Sequence, residues 1–254
     1  MDRAESEPAI ARAVNSNAPA IMAEEAKRLG ATLIHYSTDY VFDGTKRSPY
    51  EETDTPNPIN LYGATKLAGE EAIRASGAQH LILRTSWVYA PRGRNFLLTI
   101  LKLATERQEL RIVSDQIGAP TSSREIAAGT TQVLAQLARR DFSRQSFAEF
   151  GGIYHMTAEG ETSWYQFAQA ILEECARAPR ETPWIRAATG ARPQITRTIT
   201  PISTEHYPTP ARRPAYSVLS NSRLFKAFGI RLPDWRSQLR AVFQGSAEDG
   251  PVQA

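Results

Sequence analysis

The chain has 254 residues, 41% hydrophobic and 22% charged, a globular composition that excludes a disordered chain and suits one large domain or a core domain with a smaller lobe. Its net charge of +3 comes from 25 arginines and 5 lysines scattered without a basic block, so nucleic-acid binding is not expected. No run of 18 apolar residues exists, the start MDRAESEP lacks a signal-peptide core, and a single cysteine, Cys175, forms no internal disulfide; together these predict a cytoplasmic protein without a membrane partner.

Residues 5–29 read as a helix carrying Ile10, Val14, Ile21 and Ala26, closed by Gly30. The run ATLIHY at 31–36 reads as a buried strand, and 43–58 as a polar, proline-rich loop. Asn60 caps a predicted helix that runs to Ser76 and stops at Gly77. HLILRTSWVY at 80–89 predicts a second buried strand, 95–107 a helix, and 109–113 a short strand. Residues 124–139 read as an amphipathic helix, 152–156 as a strand, and 163–178 as a helix. From Pro179 the character changes, and 179–215 reads as a long irregular excursion rich in Pro, Thr and Arg. A helix at 221–228 leads to LPDW at 232–235 and a last short helix, with a disordered tail from Gly245. There is no internal repeat. Buried strands joined by helices predict an α/β fold with a doubly wound parallel sheet, whose ligands bind at the carboxyl ends of its strands.

Two features carry chemistry. Tyr62 and Lys66 form Y-x-x-x-K on one face of the predicted helix. A cation one turn away can lower a phenol's pKa, and a tyrosine so tuned can protonate a carbonyl that receives hydride. The lysine can also hydrogen-bond ribose hydroxyls. Directly after the strand ATLIHY come Ser37, Thr38, Asp39 and Tyr40, at the end where such sheets place their sites. The Thr38 hydroxyl can bond a substrate carbonyl, and Asp39 can accept from a substrate hydroxyl. Taken singly, a solvated Tyr/Lys pair and a capping turn explain these residues as well.

The ordered strings HYSTDYVFDG at 35–44, PNPINLYGATKLAGEE at 56–71 and LRTSWVY at 83–89 resemble the dTDP-4-dehydrorhamnose reductase family, within the extended short-chain dehydrogenase/reductases. The likeness continues through DQIGAPT at 115–121, GGIYHMTAEGETSWYQFA at 151–168, YPTPARRP at 207–214 and FGIRLPDW at 228–235, so it covers nearly the whole chain. The resemblance implies an oxidoreductase that reduces the 4-keto group of dTDP-4-dehydro-6-deoxy-L-mannose to dTDP-L-rhamnose with NADPH or NADH. It implies Tyr62 as proton donor, Lys66 as its electrostatic partner and cofactor contact, and Thr38 as the hydroxyl of the catalytic triad. It places Thr38, Asp39 and Trp87 at the sugar, and Arg212 and Arg213 in the substrate lobe, where guanidinium forks suit a pyrophosphate. Gln116 and Thr121 fall in the same cleft. The partner is a dTDP-sugar, and a homodimer is compatible with the reading.

The chain departs from the family in one respect: none of its 15 glycines forms G-x-x-G-x-x-G or G-x-G-x-x-G. AESEP at 4–8 and VNSNAPAIMAEEAKRLGA at 14–31 resemble the family's helix before the catalytic strand, so a βαβ unit is expected to be missing upstream. A misassigned start, a truncated gene and a separate chain are the three explanations. The expected division is an incomplete Rossmann-like dinucleotide-binding domain at 1–178, with 87–123 contributing in part to the substrate cleft, and a substrate lobe at 179–244. The expectation is that Ile34 and its neighbours lose their cover and that this polypeptide binds cofactor poorly. The alternative function is a non-catalytic binding protein resembling the methionine adenosyltransferase regulatory subunit; a third reading is another nucleotide-sugar reductase or epimerase. Cys175 reads as a packing thiol, and histidines 35, 80, 155 and 206 lack metal spacing.

Overall fold

The structure, a computed structural model, describes residues 1–140, 144–179 and 181–245, with 144–146 described by their backbone alone. The expected tail falls outside the described residues from 246 onward. In chain order the elements begin with helices α1 (Asp2–Ser6) and α2 (Pro8–Arg12), a π-helical turn (Ala13–Asn17) and α3 (Ala18–Leu29). Strand β1 (Leu33–Thr38), a 3-10 turn (Asp39–Val41), α4 (Leu61–Ser76), β2 (His80–Thr85) and β3 (Val88–Tyr89) follow. Next are α5 (Phe96–Ala104), β4 (Glu109–Val113), β5 (Ile117–Gly118), β6 (Thr121–Ser122), α6 (Ser123–Ala138) and α7 (Arg144–Phe150). The chain continues with β7 (Gly152–His155), β8 (Thr162–Ser163), α8 (Trp164–Arg177), α9 (Pro183–Thr189) and β9 (Thr198–Ile202), and ends in α10 (Ser222–Phe228) and α11 (Trp235–Gln244).

The chain forms two compact units. Unit 1 comprises Met1–Ser86, Ile126–Thr157 and Pro208–Leu232; unit 2 comprises Trp87–Glu125, Ala158–Tyr207 and the described residues from Pro233. The units therefore interleave along the sequence, and 208–232, placed by composition with the residues after 178, cluster with the first unit.

Unit 1 is built on a parallel sheet ordered β1-β2-β7. Alternation along β2 decides what lies on each face. Leu81 and Leu83 join Ile126, Val133, Tyr154 and Phe228 in one buried cluster. Ile82 points the other way, into a cluster with Ala23 and Ile73. Here the reading of residues 5–29 is corrected. Ala11, Pro19, Ala23 and Ala26 are the buried residues of that helical stretch, whereas Ile10, Val14, Ile21 and Met22 are exposed. Small side chains let the stretch lie close against α4, so the large apolar groups are turned outward.

Unit 2 holds its own core. Tyr89, Leu97, Leu101, Phe167, Ile171 and Leu239 are its buried centre. Two expectations change here. The strand expected over 80–89 is two strands, because Trp87 has φ 45° and turns the chain between them. The excursion at 179–215 contains α9 and β9, and β9 pairs in parallel with β4 over Thr198–Ile202. Pro201 sits within β9, where it is tolerated because β4 is the only partner of that strand. Among the described residues no helix is long and apolar enough to cross a membrane.

Candidate active site

Local chemistry fixes α4 at its start. Asn60 Oδ1 accepts from Gly63 N at 2.8 Å, capping the helix, while Asn60 Nδ2 donates to the Arg212 carbonyl at 2.8 Å. Tyr62 lies in the first turn and Lys66 one turn on. Two glycines let α4 approach its neighbours. A Cβ on Gly63 would sit 2.1 Å from the Tyr40 carbonyl oxygen, and one on Gly69 would sit 2.2 Å from that of Asn15.

The end of β1 faces this helix. Thr38 Oγ1 donates to Asp39 Oδ1 at 3.0 Å and accepts from Tyr40 N at 3.2 Å. The Tyr62 ring meets that of Tyr40 edge to face at 6.1 Å, which sets the phenol beside the Thr38 side chain. Thr38, Asp39 and Tyr62 are thus brought together. Lys66 is buried on the same helix, but its ammonium turns to β1: Nζ donates to the Tyr36 carbonyl at 2.6 Å and lies 3.1 Å from His35 Nε2. An ammonium has only donors, so His35 Nε2 is the acceptor and the ring is neutral. Burial, then the Lys66 charge, push the His35 pKa down to about 4, consistent with that assignment.

This geometry corrects the expected tuning of the phenol. Burial, then the charge of Asp39, raise the Tyr62 pKa above its ordinary value, against the bond from Thr38. The Lys66 charge is not among the causes of that shift; its ammonium is directed to the Tyr36 carbonyl and His35. Tyr62 therefore keeps its proton at neutral pH, the state a proton donor needs. Lys66 itself is lowered by burial and raised by Glu70. Glu70, one turn further on, is buried and holds Arg84 of β2: Nη2 to Oε2 is 2.6 Å and Nε to Oε1 is 2.9 Å.

Asp39 is wholly buried. Burial pushes its pKa up to about 7, against hydrogen bonds from Ser217 and Thr38. The folded value lies above the ordinary 3.8, so the native state holds the extra proton and stability is lost as pH rises between these values. Asp39→Asn removes that loss. Its gain in unfolding free energy over the wild type, read by urea denaturation, is expected to be larger at pH 8 than at pH 4, by a few kcal/mol at about 1.4 kcal/mol per pKa unit. Equal gains at both pH values would contradict this.

The remaining predicted residues lie elsewhere. Arg213 belongs to unit 1 and pairs with Asp2 at 3.1 Å; Arg212 is exposed, also in unit 1. Trp87, Gln116 and Thr121 belong to unit 2. Trp87 stacks on Trp164 with centroids 3.5 Å apart and planes 5° from parallel. A left-handed backbone at so bulky a residue costs about 1–3 kcal/mol and clusters at ligand-holding sites. Gln116 is buried between Trp164 and Thr204, and Thr121 between Ala119 and Ala158. A cavity of about 1560 Å³ in unit 2, lined among others by Arg94, Lys102, Arg124 and Trp184, contains none of these predicted residues.

Sequence reading missed Asn15. It sits in the π-helical turn, and its Nδ2 donates to Thr65 Oγ1 on α4 at 3.1 Å. Such turns gather at functional sites, but no residue pattern announces them.

The family model described as RmlD substrate binding domain matches residues 1–247. The dTDP-4-dehydrorhamnose reductase of Burkholderia thailandensis is 52% identical over 236 residues, covering 93% of this chain and 75% of that protein. The enzyme of the same name from Escherichia coli K12 is 41% identical over 236 residues, covering 93% and 73%. Among solved structures, a dTDP-4-dehydrorhamnose reductase from Bacillus anthracis, in complex with NADP, superposes with a TM-score of 0.81 at 30% identity, covering 97% of this chain and 77% of that one. A Clostridium acetobutylicum structure of the same name gives 0.80 at 32% identity, covering 96% and 76%. The parallel α/β architecture agrees with these structures. Matched by its model along almost its full length and by relatives at such identities, the chain belongs to the RmlD substrate binding domain family.

Proposed function

We propose that this chain is a dTDP-4-dehydrorhamnose reductase, an NAD(P)H-dependent oxidoreductase that reduces the 4-keto group of dTDP-4-dehydro-6-deoxy-L-mannose to dTDP-L-rhamnose. The observation that carries the site assignment is Tyr62 at the start of α4, its ring packed edge to face on Tyr40 beside Thr38 and Asp39 at the carboxyl end of β1, with Lys66 one helical turn beyond. The named relatives support the reductase and not the non-catalytic alternative. The reaction is cytoplasmic in this reading, and its partner is the dTDP-sugar.

The residues present fit the reacting end of a nicotinamide cofactor. Lys66 Nζ spends two of its three donors on His35 and Tyr36, leaving the third for a ribose hydroxyl. The glycine-rich turn that would hold the pyrophosphate is absent from the sequence. A nicotinamide bound there would supply hydride for C4 of the sugar. Tyr62 then donates its phenolic proton to the C4 oxygen, and Thr38 hydrogen-bonds the same oxygen as charge develops on it. Asp39, beside Thr38, accepts from a sugar hydroxyl. In unit 2 we assign Trp87 to the sugar ring. Arg212, exposed and with no ion pair among the described residues, is assigned to the pyrophosphate; Arg213 is held by Asp2.

The test is loss of NADPH absorbance in the presence of the keto sugar, with dTDP-L-rhamnose identified as product. Absence of that product, with cofactor and substrate at saturating levels, would overturn the reading. Lys66→Met is expected to raise the KM for NADPH and lower kcat together, by about tenfold or more each, because the donor that holds the ribose also positions the reacting end of the cofactor. A variant in which only one of the two constants moves would separate those roles.

A further inference from the structure

We propose that Trp164 is a positioning residue for the substrate's sugar: stacked on Trp87 and tied to Gln116, it holds Trp87 in the left-handed conformation in which that indole meets the sugar ring. The inference rests on the assignment of Trp87 to the sugar made above.

Trp164 is itself held firmly. It is the first residue of α8, directly after Ser163, whose Oγ accepts from Gln166 N at 3.1 Å in a capping box. The short antiparallel pairing of Ile117 with Ser163 and Gly118 with Thr162 binds the DQIGAPT segment to this helix start. Trp164 Nε1 donates to Gln116 Oε1 at 3.2 Å. Gln116 Nε2 donates to Thr204 Oγ1 at 3.0 Å, and Thr204 Oγ1 donates to Asp115 at 2.7 Å. A chain of hydrogen bonds thus sets the rotation of one indole. Phe96, at 4.5 Å from Trp164 and 5.7 Å from Phe167, links it to the core of unit 2.

Among the described residues the Trp87 indole has no hydrogen bond of its own; only its backbone carbonyl is held, accepting from Thr121 N at 3.4 Å. Its backbone sits at φ 45°, which a tryptophan keeps only where the surroundings demand it. The near-parallel stack at 3.5 Å meets that demand. Gly118 makes the room: a Cβ there would fall 2.4 Å from the Trp87 ring. The glycine of DQIGAPT and the tryptophan of ETSWYQFA therefore serve the same indole, although 46 positions separate them (164 − 118).

The test combines circular dichroism with calorimetric titration of dTDP-L-rhamnose and of dTDP alone. Two stacked indoles give an exciton couplet in the far ultraviolet when their in-plane transition moments are twisted relative to each other. Trp164→Leu is expected to abolish the couplet, to weaken dTDP-L-rhamnose about five- to tenfold and to leave dTDP unchanged, as loss of one aromatic stack implies. Trp164→Phe restores a flat ring and is expected to recover most of the sugar-dependent affinity. Should the leucine variant not fold, Gln116→Met frees the indole edge and is expected to weaken the sugar ligand alone. Unchanged dTDP-L-rhamnose affinity with the couplet gone overturns the positioning role and leaves the reductase reading standing. Equal weakening of both ligands overturns it too, as a general structural effect. If the wild type binds neither ligand, the sugar-nucleotide reading falls and this inference falls with it.

Discussion

Tyr62→Phe is expected to lower kcat by about 10²- to 10⁴-fold while the fold stays intact. The phenylalanine ring keeps the edge-to-face contact with Tyr40, and α4 keeps its Asn60 cap. What disappears is the one proton placed beside Thr38. Burial and Asp39 hold that phenol protonated, so the variant lacks an acid and not a base. KM for the sugar nucleotide is expected to move little, since the lost interaction grows mainly in the transition state. Steady-state NADPH oxidation beside a thermal melt checks both halves. Turnover at the wild-type rate in this variant would remove Tyr62 from the mechanism.

Glu70→Ala is expected to cost about 3–5 kcal/mol of stability, the largest single effect on folding proposed here. Arg84 is 2% exposed and Glu70 1% exposed, and the guanidinium meets the carboxylate through two nitrogens. Removing the carboxylate leaves a cation with the Phe42 ring, 5.1 Å away, as a remaining partner. A cation–ring contact offsets only part of that burial. The combined change Glu70→Leu with Arg84→Met removes both charges and is expected to recover most of the loss. Urea unfolding of the three proteins measures it; a single variant as stable as the wild type would refute the assignment.

Much of unit 1 was legible because its signals are local. Asn60 and Gly77 bracket α4 as the sequence predicts, and in unit 2 Asn95 and Ser163 cap α5 and α8. The apolar run at 31–36 corresponds to β1 to within two residues, whereas the strand expected over 80–89 begins with β2 but breaks after Thr85. Spacing placed Tyr62 and Lys66 on one helix. What spacing could not give is direction. The i, i+4 relation puts Lys66 near the phenol, but the Tyr36 carbonyl captures its ammonium, and a carbonyl leaves no mark in a sequence. Hydrophobicity misled at residues 5–29, where close packing favoured alanine over the larger Ile10, Val14 and Ile21. Proline hid α9 and β9, because Pro183 begins a helix and Pro201 lies in a strand with one partner. Trp87 looked like the continuation of a strand, since nothing in its neighbours signals a left-handed residue.

Gly63 directly follows Tyr62 on α4 and Gly69 lies three residues beyond Lys66, and at each the neighbouring main chain lies where a methyl group would otherwise project. The helix is consequently seated by backbone against backbone, like a shaft resting in two bearings. Its rotation about its own axis is thereby decoupled from the volume of surrounding side chains. Drift in the apolar interior can proceed without turning the phenol away from its target, whereas one added carbon at either bearing turns it at once.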